Sequence, residues 1–406
     1  MSEKRSPLGL IFLTILIDMI GFGIVIPVLP VYAEGTQFHG TPFKISLVLG
    51  IYSLLQLVFS PLLGRLSDRI GRKPVLTVSI LGTAIGFVIT GAAQVYWVLL
   101  LGRIIDGASG GNIATGMACI ADVTTKENRS KSMGLIGAAF GIGFMIGPAL
   151  GGVLGKISTA LPFYVAAGLA FINCALVAAR LPETLTPEAR ERAKYRASVG
   201  EVFSHGRGGL IATILASQLA SVTGFSIMTS LFALFCEKRF GYNIAHTGWL
   251  MFYVGFLGVV MQGGVLRRLL RRPIEKQLAV IGAGILAVSM FFLPSTPTSL
   301  GLLLLACAGI SIGNSFVTPT MNGLASRSSD AHTQGRVLGL LASAGSLGRV
   351  LGPLLAYWLL QFDSADHYGR TSFYASAAIL AVAMLLITAV SPGHADLPAS
   401  DAIPET

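Results

Sequence analysis

The 406-residue chain is 53% hydrophobic and only 12% charged, with a mean hydropathy of +0.73 and a formal net charge of +10. Apolar content this high lies outside the range of soluble domains and points to a polytopic membrane protein. Its 49 glycines suit close helix–helix approach in a bilayer better than strand pairing in a barrel, and its four scattered cysteines, without a CxxC, support neither a disulfide frame nor a metal site.

Hydropathy predicts an all-α fold with spans over 8–30, 43–63, 75–94, 96–119, 132–154, 162–181, 209–235, 244–266, 276–293, 299–321, 334–360 and 371–391. Each is long enough to cross roughly 30 Å of hydrocarbon. The first run, preceded by only two basic residues, Lys4 and Arg5, is too long for a signal core and lacks a small-residue cleavage site. It is expected to be a retained span. The polar stretch LPETLTPEARERAKYRASVGEVFSHGRG reads as a cytoplasmic linker, 182–208, between six-span bundles at 1–181 and 209–391, with a tail at 392–406. GFMIGPALGG at 143–152 recurs as GRVLGPLLAY at 348–357, so the halves look like pseudo-symmetric copies meeting at a central cavity.

Lys and Arg set the orientation. With the first residue inside, 22 of the 29 fall in cytoplasmic segments, 5 in outer loops and 2, Arg103 and Arg349, within spans. Both termini are therefore expected in the cytoplasm. The same asymmetry accounts for the net charge as a topology signal, without a nucleic-acid partner.

GRLSDRIGRKPVL at 64–76 concentrates charge between two apolar runs. The spans on either side must be antiparallel, so a turn of about ten residues holds these groups at one membrane face. They could simply anchor the loop inside. The order Gly64, Leu66, Asp68, Arg69, Gly71, Arg72, Lys73 resembles the signature loop of the major facilitator superfamily. DMIGFGIVIPVLP, LGRIIDGASGG, IADVTTKENR and GIGFMIGPALGG are similar to further motifs of its drug:proton antiporter branch, particularly tetracycline-efflux carriers. The resemblance implies twelve helices in two bundles, a cytoplasmic gating latch at 64–73, and an antiporter glycine-proline motif at Gly143, Gly147, Pro148, Gly151 and Gly152. That motif is expected to let span 5 pack closely on its neighbour in the opposite half. Arg268 stands where a second copy of the loop would carry its acid, which argues against a symmetric latch.

Three places put charge inside the membrane. Asp18 is roughly 16 Å along span 1, near the midplane. An ionised group there is costly and must face water or a partner, and burial favours its neutral form, as a proton-coupling acid requires. The family's first-span acid aligns with it. Arg103 and Asp106 are three residues apart on one face of span 4 and can neutralise each other, either as a structural pair or as a partner-exchanging element; the resemblance links Arg103 with proton transfer. Arg349 in span 11 is too deep to reach the surface easily. It could hold an anionic substrate group, pair with Asp18 or Asp106 across the halves, or satisfy backbone carbonyls. Gln56, Asn112, Gln218, Gln262 and Asn314 add uncharged polar groups at cavity depth, each equally readable as a helix-packing hydrogen bond. Tetracycline carriers have further acids in spans 3 and 9, which are absent here; Gly86 stands about where the span-3 acid would be.

The expected function is a secondary active transporter of the inner membrane, without cofactor or catalytic residue, exporting an amphiphilic drug-like molecule against protons by alternating access. The expected partners are the substrate, protons and the lipid bilayer, with the chain working as a monomer. An organic-anion symporter or uniporter of the same fold, and a non-transporting membrane receptor or scaffold, remain alternatives.

Overall fold

The computed structural model describes residues 7–124, 126–186, 208–270, 274–295, 299–329 and 333–390, and their side chains apart from those of 126–136 and 267. Most of the expected linker (187–207) and the tail 392–406 lie outside them. Helices make up the structure: α1 (Leu8–Glu34), α2 (Pro42–Ile70), α3 (Arg72–Gly91), α4 (Tyr96–Ser109), α5 (Asn112–Val123), α6 (Lys126–Ile157), α7 (Leu161–Arg180), α8 (Gly208–Phe240), α9 (Ile244–Val260), α10 (Glu275–Phe292), α11 (Leu300–Arg327), α12 (Gln334–Leu359) and α13 (Arg370–Ala389). Eleven are long and apolar enough to cross a membrane, α9 by running on through a π-helical turn at Met261–Leu266. Together α4 and α5 make the twelfth span, interrupted at Gly110 and Gly111. Twelve alternating spans return the chain to the face where it began, called here the terminal face.

The break in the fourth span follows from Gly-Gly and from what lies beside it. A Cβ at Gly111 would come within 2.8 Å of Leu63 Cβ, so α2 approaches the backbone as closely as only glycine allows. The interruption leaves a carbonyl unpaired along the helix, and Gln56 Nε2 donates to Gly110 O at 3.3 Å. Irregular backbone at membrane depth needs such a protein partner.

The charged turn is shorter than the sequence suggests. α2 continues to Ile70 and α3 starts at Arg72, so Gly71 alone makes the reversal, at φ +115°. Glu183, just beyond α7, stabilises it by accepting from Arg72 N at 2.9 Å and Lys73 N at 3.2 Å, two donors that the first turn of α3 leaves open. Arg72 is buried among Asp68 Oδ1 (2.6 Å), Asp122 Oδ2 (3.0 Å) and Ser67 Oγ (2.7 Å). Arg69 is exposed and Lys73 half-buried.

Small residues set the helix packing. Gly147 lies against Gly23 of α1, where a Cβ would meet Gly23 Cα at 2.6 Å, and Gly143 faces Met19. The second half repeats the pattern, with Gly348 against Thr223 and Gly352 against Ser226, both of α8. Each glycine-proline helix therefore packs on the first helix of its own half. The halves meet through α6 with α9, α2 with α12 and α1 with α8. Gly152 takes part there: a Cβ on it would be 2.8 Å from Ile244 O. The motif thus serves two interfaces, with Gly143, Gly147 and Gly151 on α1 and Gly152 on the opposite half.

Contact between halves is concentrated away from the terminal face. There Gly152 meets Gly248, Gly255 meets Met145, and Lys238 Nζ pairs with Glu34 Oε1 at 3.2 Å. Toward the terminal face, Gly137 on α6, Gly263 and Gly264 on α9, and Gly335 and Gly339 on α12 have open space where a Cβ would be.

Candidate functional site

Helices α1 to α5 converge on a polar cavity of about 20 Å³, lined by Asp18, Phe22, Tyr52, Gln56, Thr83, Asp106 and Asn112 among others. That is room for about one water. The break between α4 and α5 positions its most telling contact: the second helix restarts at Asn112, whose Nδ2 donates to Asp18 Oδ1 at 3.1 Å. Asp18 thus has a neutral partner. Asn112 Oδ1 is buried without a partner, as are Thr14 Oγ1 and Thr115 Oγ1, each about one turn from Asp18 or Asn112 on α1 and α5.

Asp106 is held differently. Arg103 Nη1 donates to its Oδ2 at 2.6 Å, both side chains being 4% exposed, and Thr83 of α3 lines the same cavity. Gly86 of α3 packs against the same acid, since a Cβ there would come within 2.8 Å of Asp106 Cβ and 2.9 Å of its backbone nitrogen. The position where tetracycline carriers are expected to have a span-3 acid is therefore filled, in this chain, by the neighbouring helix. The Arg103 guanidinium lies 4.6 Å from the Tyr52 ring centroid, a cation–π contact, while its Nε is buried without an acceptor.

Tyr52 is the residue that reasoning from sequence missed. Its phenol interacts electrostatically with Asp106, Arg103, Asp18 and Arg349, and so joins all four intramembrane charges. Its oxygen accepts from Gln56 Nε2 at 3.1 Å. The signal was available: Tyr52 and Gln56 are four residues apart, one turn on one face of α2.

The other expected site residues are dispersed. Arg349 donates through Nη2 to Ser346 Oγ at 2.8 Å, and among the described residues no ion pair joins it to Asp18 or Asp106. Gln218 is buried on α8 near Gly345. Asn314 Oδ1 accepts from Thr318 Oγ1 within α11, and Gln262 is exposed on the π-helical turn toward the terminal face, away from the cavity.

Twelve spans in pseudo-symmetric halves, the first of them holding this acid pocket, are matched by a family model described as Major Facilitator Superfamily, over residues 11–353 and 312–403. The chain belongs to the major facilitator superfamily. It is a multi-pass membrane transporter and not an enzyme. Within the superfamily it is similar to the class D tetracycline resistance protein of Salmonella ordonez, 30% identical over 386 residues covering 94% of this chain and 97% of that one. The class H protein of Pasteurella multocida is 32% identical over 401 residues, covering 95% and 96%. Multidrug resistance protein 1 of Bacillus subtilis is 29% identical over 398 residues, covering 97% and 99%. Among solved structures, the human organic anion transporter MFSD10 shares the fold with a TM-score of 0.74 at 22% identity, over 95% of this chain and 100% of that one. A bacterial homologue of the human lysosomal transporter Spinster does so with a TM-score of 0.79 at 14% identity, over 97% and 98%.

Proposed function

We propose that this superfamily member is a proton-coupled exporter of an amphiphilic, drug-like molecule, working by alternating access in the inner membrane with both termini in the cytoplasm. The observation that carries the reading is the contrast between two acids in one pocket. Asp106 is locked on a guanidinium, whereas among the described residues Asp18 is hydrogen-bonded only to the neutral amide of Asn112. An acid with a neutral partner can take up or release a proton without orphaning a buried cation, which a coupling group must do on every cycle. The similarity to tetracycline and multidrug resistance proteins supports export and leaves the cargo open between tetracycline-like and other amphiphiles.

In this cycle, protonation of Asp18 from outside weakens substrate binding, and the Arg103–Asp106 pair transmits the change to α4 and, through Tyr52, to α2. The segment 64–73 docks against the opposite half when the terminal face closes, with Arg72 already oriented by Asp68 and Asp122. The two bundles, 1–181 and 209–391, move as units joined by the 182–208 linker, in a transporter that functions as a monomer. The deciding measurement is proton release from purified protein in weak buffer on adding tetracycline and a panel of cationic, zwitterionic and anionic amphiphiles. Release with at least one class, lost in Asp18→Asn, is expected. Full proton-driven export by Asp18→Asn overturns the assignment.

A further inference from the structure

Arg349 is the intramembrane charge left over when the acid pocket is complete. It lies roughly 22 Å from the start of α12. Its one hydrogen bond goes to Ser346 on its own helix, and among the described residues no carboxylate is within ion-pair distance. A guanidinium has five N–H donors, and one left without an anion at this depth is unfavourable.

What surrounds it is a set of donors. Gln218 reaches in from α8, buried and with no hydrogen-bond partner among the described residues. A Cβ placed on Gly345 would be 3.5 Å from Gln218 Nε2 and 3.8 Å from Arg349 Nη1, so the two groups flank the same spot above the α12 backbone, and the glycine keeps it clear. Tyr52, in the other half, is near enough to Arg349 to interact with it electrostatically. Because the Tyr52 oxygen already accepts from Gln56, its own O–H is free to donate. The acids of the molecule's centre, Asp18 and Asp106, are engaged elsewhere by Asn112 and Arg103.

We propose that Arg349 and Gln218, over the space kept by Gly345, form a binding site for an anionic oxygen group of the transported molecule, a carboxylate or an acidic enol, with the Tyr52 hydroxyl closing it from the opposite half. This rests on the export reading only in taking the bound molecule to be the cargo. A planar guanidinium beside an amide presents paired N–H donors in the arrangement a carboxylate accepts. Tyr52 also stacks on Arg103, so an anion held here touches, through one side chain, the pair next to the proton-carrying acid. The cargo is thereby read by both halves at once, its anionic end by the second and its effect on the acid pocket by the first.

The test is equilibrium binding of pyrenebutyrate and of its methyl ester to the purified full chain. The two probes share an apolar body and differ in the anionic group. Wild type is expected to bind the acid at least about tenfold more tightly than the ester, as a charge-assisted hydrogen-bonded pair implies. Arg349→Gln brings the acid to the level of the ester and leaves the ester unchanged, Arg349→Lys recovers part of the preference, and Gly345→Leu, which fills the space, weakens the acid selectively. Equal binding of acid and ester by wild type, no binding of the acid, or an equal loss of both probes in Arg349→Gln overturns the proposal. If Arg349→Gln does not give a monodisperse protein, Gly345→Leu and Gln218→Leu carry the same comparison. Acid preference without proton release on any compound would sink the export reading and leave the anion site standing; proton release without acid preference would do the reverse.

Discussion

Removing Arg103 and Asp106 separately and together tests the centre of the pocket. At 2.6 Å and 4% exposure, their attraction is about 6 kcal/mol for an effective dielectric of roughly 20. Taking both ions out of water costs several kcal/mol each, so the pair is worth little against two apolar side chains, whereas orphaning one partner costs about 3–5 kcal/mol. Arg103→Met and Asp106→Leu should each destabilise by about 3–5 kcal/mol and the double variant by only about 0–2 kcal/mol. The Tyr52 cation–π contact, about 0.5–2 kcal/mol, is lost in Arg103→Met and in the double variant alike and so leaves the coupling unchanged. A coupling of at least about 4 kcal/mol is expected from denaturant unfolding in detergent, read by tryptophan fluorescence. Additivity within about 0.5 kcal/mol would refute the picture of a mutually neutralising pair. The double variant should nonetheless fail to export, which separates its role in transport from its role in stability.

Gly86→Ala should cost about 1–3 kcal/mol by overpacking, because the new Cβ meets Asp106 at 2.8 Å and Gly102 O at 2.9 Å, both parts of a packed helix; a thermal midpoint unchanged within a degree would contradict that packing. Glu183→Ala removes the acceptor for Arg72 N and Lys73 N, a capping loss of about 1 kcal/mol, and hydrogen exchange at those two amides should quicken roughly fivefold. Glu34→Gln breaks an ion pair whose side chains are 30% and 41% exposed, so stability should move by no more than about 1 kcal/mol. Because the pair joins α1 to α8, the effect should be seen instead as separation of fluorophores placed at the outer ends of those helices, and it should fade in high salt.

Much of the architecture is legible in the residues because hydrocarbon permits few solutions. Every run of about twenty apolar residues became a span, and α12, expected at 334–360, is found at Gln334–Leu359. The depth of Asp18, Arg103, Asp106 and Arg349 followed from counting residues at 1.5 Å each. The glycine-proline repeat exposed the duplication, and both copies pack on the first helix of their half.

Depth along a helix does not say which faces meet, and here apolar patterning is a weak guide, since lipid and protein interior favour the same side chains. Only tertiary packing decided that Gly143 and Gly147 approach α1 while Gly152 turns to α9, that Gln56 serves the carbonyl freed at Gly110, and that one glycine, pinned by Glu183, replaces the ten-residue turn. It also assigned the partners of the charges. Sequence spacing put Arg103 beside Asp106, a local contact one turn apart, and the structure has that pair. Asp18 with Asn112, and Tyr52 with Arg103, are contacts between helices distant in the chain, set by how the helices pack. Sequence by itself determined that charge lies at the centre of the membrane, because its cost there is visible in any apolar run; the fold decided which charge is neutralised and which, among the described residues, has no carboxylate beside it.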